Sequence, residues 1–116
     1  MKLILSTLCL VLCLSLATSF SRTWGRRNPG DSLLMREQII RMPKSNDFWS
    51  LTINFPKHGE ENYKTISSIN VFDRFTNSSG SIPSVLYGGP RRKYVSINLK
   101  SQDGRGINST VEIWGR

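Results

Sequence analysis

Trp49-Ser50-Leu51-Thr52-Ile53-Asn54-Phe55 alternates apolar and polar side chains without a break and is halted by Pro56. Successive side chains of a strand point to opposite faces, so this stretch predicts a strand with Trp49, Leu51, Ile53 and Phe55 on its buried face. The same period of two returns in Tyr94 to Lys100, where Val95, Ile97 and Leu99 oppose Ser96, Asn98 and Lys100. Ile66 to Phe75 sets Ile69, Val71 and Phe75 against Ser68, Asn70 and Arg74. A last run sets Val111 and Ile113 against Thr110, Glu112 and Trp114, and Ser84 to Tyr87 forms a short strand before it. Between them lie turn-forming stretches: Pro43 to Asp47, Lys57 to Lys64, Thr76-Asn77-Ser78-Ser79-Gly80, Gly88-Gly89-Pro90 and Gly104-Arg105-Gly106.

Ser32 to Arg41 reads two ways. Leu33, Leu34, Ile39 and Ile40 fit a helix stripe capped by Asp31, and the same residues fit an extended strand showing Leu34, Arg36, Gln38 and Ile40 to one side. Five strands, or six with this one, predict an all-β fold: a small antiparallel β-sandwich of about six strands. A closed barrel is the alternative.

Upstream of the strands the chain changes character. Met1-Lys2 carries one positive charge, Leu3 to Leu16 is an unbroken weakly polar to apolar run, and Ala17-Thr18-Ser19 supplies small residues. That layout predicts a secretory signal helix over 1–19, with cleavage after Ser19 and Ser21 as the next choice. The apolar run is too short for the roughly 20 residues a membrane span needs. The expectation is a secreted, extracellular protein with no transmembrane segment once the signal is gone. Residues 20–31 read as an irregular basic arm: Arg22, Arg26 and Arg27 surround Trp24-Gly25, with Trp24 tucked onto the domain before the turn Asn28-Pro29-Gly30. Residues 32–116 read as a single β-domain. Cys9 and Cys13 both fall in the signal, so the core must hold the remainder without disulfides.

The chain has 16 Lys+Arg against 8 Asp+Glu, and 15 against 8 without Lys2. Such a balance attracts anionic surfaces. Arg91-Arg92-Lys93 is its densest point, a candidate anion-binding patch on a turn. The competing reading is a hairpin turn kept soluble by its charges. The arm's arginines fall short of the dense runs of nucleic-acid tails, which leaves an unidentified protein or anionic surface as the expected partner.

Nothing in the sequence supports catalysis. The one histidine, His58, lies in a polar turn between Lys57 and Gly59, far from the held imidazole a triad requires. With one histidine and no cysteine past the signal, the usual zinc ligand sets cannot be assembled. No glycine-rich loop opens a helix to cradle a phosphate. The expectations are no enzymatic activity, no cofactor, no metal and no small-molecule substrate. Two sequons, Asn77-Ser78-Ser79 and Asn108-Ser109-Thr110, make Asn77 and Asn108 candidate N-glycosylation sites.

Ser101-Gln102, Gly104, Gly106-Ile107-Asn108, Val111-Glu112-Ile113 and Gly115-Arg116 together resemble the ending of the arthropod family named for multiprotein bridging factor two. Trp24-Gly25, Gly30-Asp31, Asp73 with Thr76-Asn77 and Gly80, and Gly88-Gly89-Pro90 extend the resemblance over essentially all of the chain past the signal. Trp114 stands where the family often has Tyr, and Asp103 and Arg105 replace a basic residue and His. Members of the family are labelled transcription activator or probable salivary secreted peptide. The resemblance therefore implies a secreted salivary or haemolymph protein or, alternatively, a coactivator bridging a nuclear receptor and basal transcription factors. It carries over no residue motif for bridging. Gly88, Gly104 and Gly106 are expected at tight turns requiring positive φ.

Overall fold

A computed structural model describes residues 21–75 and 80–116; the expected signal helix at 1–19 lies outside them. All regular structure among the described residues is strand: β1 (Arg22–Gly25), β2 (Ser32–Arg41), β3 (Ser50–Phe55), β4 (Ile66–Asp73), β5 (Ile82–Gly88), β6 (Val95–Lys100) and β7 (Ile107–Gly115). They form a four-stranded sheet in the order β1-β4-β7-β2 and a three-stranded sheet in the order β3-β6-β5. Every pairing is antiparallel. The fold is thus the expected sandwich, with seven strands instead of about six, and the two separate sheets exclude the closed barrel.

Ser32 to Arg41 is a strand along its whole length, paired with β7 from Ser32–Gly115 to Arg41–Ile107. The helix reading fails because a nonlocal partner was waiting; local periodicity contains no trace of it. The basic arm also needs correction. Arg22–Gly25 is not irregular but pairs with β4 from Arg22–Val71 to Gly25–Ser68, so the larger sheet begins ten residues before Ser32. Four residues with one apolar side chain are too few to display a period. Trp24 does pack against the core, as expected.

The centre of the sandwich is aliphatic. Ile66, Ile69 and Val71 from β4, and Ile107, Val111 and Ile113 from β7, meet Val95, Ile97 and Leu99 from β6; Ile39 of β2 completes the cluster. At about 25 cal/mol per Å² this burial is the main term favouring the fold, and no disulfide shares the task among the described residues. Trp49, Leu51, Ile53 and Phe55 face inward as expected but stay half-buried, because β3 is an outer strand. Irregularities in register between Ile66 and Ser68, and between Val85 and Tyr87, shift which residues face inward. β4 closes at Asp73, where the carboxylate accepts a hydrogen bond from the Phe75 backbone N–H, so Phe75 lies beyond the strand.

The glycines divide into two kinds. Gly88 and Gly104 have φ of +74° and +72°, the left-handed conformation their turns demand. Gly106 does not: there a side chain would collide with the Arg41 carbonyl oxygen, so glycine serves close approach of two backbones.

Candidate functional site: a basic end of the sandwich

The β5–β6 connection is a tight turn. Gly89 N–H donates to Tyr94 O at 2.9 Å and Arg92 N–H donates to Gly89 O at 3.0 Å. Pro90 and Arg91 occupy the two middle positions. Arg91 has φ +72°, at the position of such a turn that ordinarily calls for glycine or asparagine. Holding a non-glycine residue there costs on the order of 1 kcal/mol, so its surroundings must fix it. They do: Arg91 N–H donates to Ile66 O, and Ile66 N–H donates to Arg92 O, both at 2.8 Å. The turn of the smaller sheet is thereby clamped onto the first residue of β4 in the larger one.

That clamp gathers cations from distant parts of the chain. Arg26 follows β1 directly, and its N–H donates to Ser67 O at 3.1 Å. Arg26 and Arg91 line one recess of about 420 Å³ together with Asn28, Thr65, Ser67 and Pro90. Thr65 exchanges backbone hydrogen bonds with Arg116, at 2.9 and 3.1 Å. Asn62 Nδ2 donates to the carbonyls of Lys64 and Lys93, drawing the β3–β4 loop to the same end.

Some of these charges are already engaged. Arg116 Nε lies 3.8 Å from Asp31 Oδ1, Lys64 Nζ donates to Ser32 Oγ, and the Arg27 guanidinium sits 3.5 Å over the Trp114 ring. Arg26, Arg91, Arg92 and Lys93 are exposed, and among the described residues no carboxylate pairs with them. Glu60 and Glu61 occupy the neighbouring loop. There Tyr63 donates to Glu61, and that bond, with a small contribution from burial, raises the tyrosine pKa above its ordinary value. The sequence thus located Arg91, Arg92 and Lys93 but missed Arg26, which is separated from them by more than sixty residues. Only the pairing of β1 with β4 brings it in.

The other candidates fare differently. Asn108 lies on β7, half-buried, with its Oδ1 accepting from Gln38 Nε2 at 3.2 Å. The sequon's Thr110 is nearly buried and accepts from Arg74 Nε at 3.4 Å. Asn77 lies outside the described residues. His58 is exposed and borders a shallow recess of about 230 Å³ with Asn54, Tyr87, Tyr94 and Ser96. Among the described residues lining that recess there is no acid to orient it. Among the described residues no three His, Cys, Asp or Glu side chains converge as a metal site would require.

A second polar assembly covers the outer face of the larger sheet. Glu112 of β7 accepts from Arg36 Nε at 2.8 Å and from Trp114 Nε1 at 3.1 Å. Burial pushes the Glu112 pKa up, but the hydrogen bonds from Arg36 and Trp114 and the charges of Arg36 and Arg27 outweigh it, and the net shift is downward. At the far end of β4, burial raises the Asp73 pKa, opposed in part by the Phe75 N–H.

The fold and its cation-rich end define a two-sheet antiparallel β-sandwich domain, an architecture that by itself assigns no activity. The chain belongs to the MBF2 family, whose model, described as transcription activator MBF2, matches residues 24–115. It is also 35% identical over 92 residues to a protein of Bombus ignitus called "Probable salivary secreted peptide". That match covers 79% of this chain and 66% of the relative, just under two thirds of the relative's length. No solved structure matches the chain.

Proposed function

We propose that this protein is a secreted, non-enzymatic β-domain that binds an anionic macromolecular surface through its basic end. The observation that carries the reading is Arg91. A residue that would be more comfortable as glycine is an arginine, held in a left-handed turn at the rim of a recess shared with Arg26. Strain retained at one position, with a charge as its result, favours a role in recognition. The layout of residues 1–19 and the name of the Bombus relative support export.

The test separates binding from folding. Arg91→Gly relieves the turn, so stability holds or rises by up to about 1 kcal/mol. Elution from immobilised heparin nevertheless moves to lower salt, with about one fewer counterion released. The triple variant Arg91→Gly, Arg92→Ala, Lys93→Ala loses most of the retention. Heparin retention of the triple variant equal to that of the parent chain would remove the basic end from consideration.

The second reading, a transcription coactivator, is favoured by the description attached to the family model. It predicts a nuclear chain beginning at Met1. N-terminal sequencing of the protein recovered from expressing tissue decides between the two, since a first residue of Phe20 or Arg22 means export. A glycosidase mobility shift in the same sample reports whether Asn77 or Asn108 carries a glycan.

A further inference from the structure

The two sheets leave four outer strands: β1 and β2 in one, β3 and β5 in the other. An outer strand presents unpaired N–H and C=O groups that can template another chain, and proteins usually blunt such edges with brevity, charge, proline or a bulge. Three of the four are blunted. β1 has four residues and opens with Arg22. β2 carries Arg36, Glu37 and Arg41, and its register slips between Leu33 and Met35. β5 contains Pro83 and slips between Val85 and Tyr87. β3 has none of these devices: Ser50–Phe55 holds no charge and no proline, and it pairs with β6 in unbroken register from Ser50–Lys100 to Phe55–Val95.

The orientation of the β3 backbone follows from its bonds. Trp49 O accepts from Ser101 N–H, and Leu51 O accepts from Asn98 Nδ2, so the odd-numbered residues turn their backbone groups toward β6. Antiparallel ladders alternate, which sends the N–H and C=O of Ser50, Thr52 and Asn54 to the free edge.

We infer that this edge pairs with the β3 of a second copy of the chain, antiparallel about a twofold axis through Thr52. Thr52 then exchanges both backbone bonds with its own copy, and Ser50 exchanges both with Asn54, so every free backbone group of the strand is used. On the solvent face Thr52 meets Thr52, a favourable cross-strand pair. On the core face Leu51 meets Ile53. These two are half-buried in the single chain, whereas their β6 partners Leu99 and Ile97 are 0% exposed, so pairing continues an apolar layer that now stops short. Charge agrees with the arrangement. The Phe55 end of β3 is the end of the sandwich that bears Arg91, Arg92 and Lys93, and antiparallel pairing sends the two basic ends to opposite poles.

One strand pair buries less than the roughly 1,600 Å² of a standard stable interface, so the dimer is weak, with Kd on the order of 100 µM. Analytical ultracentrifugation of the full chain recovered from expressing cells, from about 5 µM to about 1 mM, reads it directly. The expected result is a concentration-dependent monomer–dimer equilibrium that Thr52→Pro and Thr52→Lys each weaken at least tenfold. Proline removes the outward N–H, which a single edge strand tolerates, and lysine sets two like charges face to face across the axis. Circular dichroism confirms that each variant folds; should the proline variant unfold, the lysine variant decides. A chain that stays monomeric at every concentration, as an edge reserved for a foreign peptide would, overturns the inference. So does a dimer that survives Thr52→Lys.

Discussion

The two sheets obey the same alternation yet cover their outer faces differently. On the larger sheet, long side chains lie across the surface: Arg36 reaches Glu112, Arg74 reaches Thr110 and Arg27 rests on Trp114. Beneath them Thr110 and Glu112 are only 6% and 9% exposed although they point away from the core. The smaller sheet shows Ser50, Thr52 and Asn54 on β3 beside Ser96 and Asn98 on β6, joined by short contacts such as Asn98 Nδ2 to Ser50 Oγ at 3.1 Å. Cover here is uneven: Ser96 of β6 is 1% exposed beside Asn54, Tyr87 and Tyr94, whereas Ser50, Thr52 and Asn54 of β3 stay exposed. A strand is thus sheltered by lying between neighbours and, on the larger sheet, also by a roof of arginine, whose aliphatic stem covers apolar surface while the head stays wet. β7 has both advantages, and β3 has neither.

The largest expected difference is in the core layer. Ile113→Ala on β7 removes a side chain with no exposure and is expected to cost about 2–5 kcal/mol. Ile53→Ala on β3 removes a half-buried one and should cost less than half as much, for the cavity opens to solvent. Urea denaturation of both variants checks the ranking, and equal losses would erase the distinction between the strands.

Next in size is the arginine roof. Glu112→Ala breaks the bonds from Arg36 and Trp114, with an expected loss of about 1–2 kcal/mol, while Asn98→Ala on the smaller sheet costs about 0.5 kcal/mol. Arg36 is itself largely exposed and stays solvated when its partner is removed, which keeps the first figure modest.

The smallest effect is a pH dependence. Because the Glu112 pKa is lowered in the fold, its contribution is present above the ordinary value of 4.5 and disappears as pH falls through the lowered one. Asp73 has the opposite sign: its raised pKa disfavours the charged form, so acidification through that pKa recovers stability. Thermal melts from pH 6 to pH 2.5 on an Asp73→Asn background should isolate the Glu112 slope, and adding Glu112→Gln should flatten it.

Alternation was readable wherever one face is dry and the other wet, as in β3 and β6, and there the inward residues were assigned correctly from the sequence. It failed at β1, whose single apolar residue gives no period, and within Ser32 to Arg41, where two periods compete. The slips at Leu33/Met35, Ile66/Ser68 and Val85/Tyr87 were invisible because they are settled by partners far along the chain. The basic end was half legible for the same reason. Arg91, Arg92 and Lys93 are contiguous, whereas Arg26 joins them only through strand pairing.

The short strand β1 has a consequence for processing. Its pairing partners Ser68 to Val71 belong to the middle of the larger sheet, and Trp24 seals one margin of the core. An exopeptidase nibbling past Arg22 would therefore strip a rung from the ladder and turn β4 into a raw margin. Were the chain trimmed, a cut beyond Arg22 would leave it with a longer adhesive margin than a cut before it.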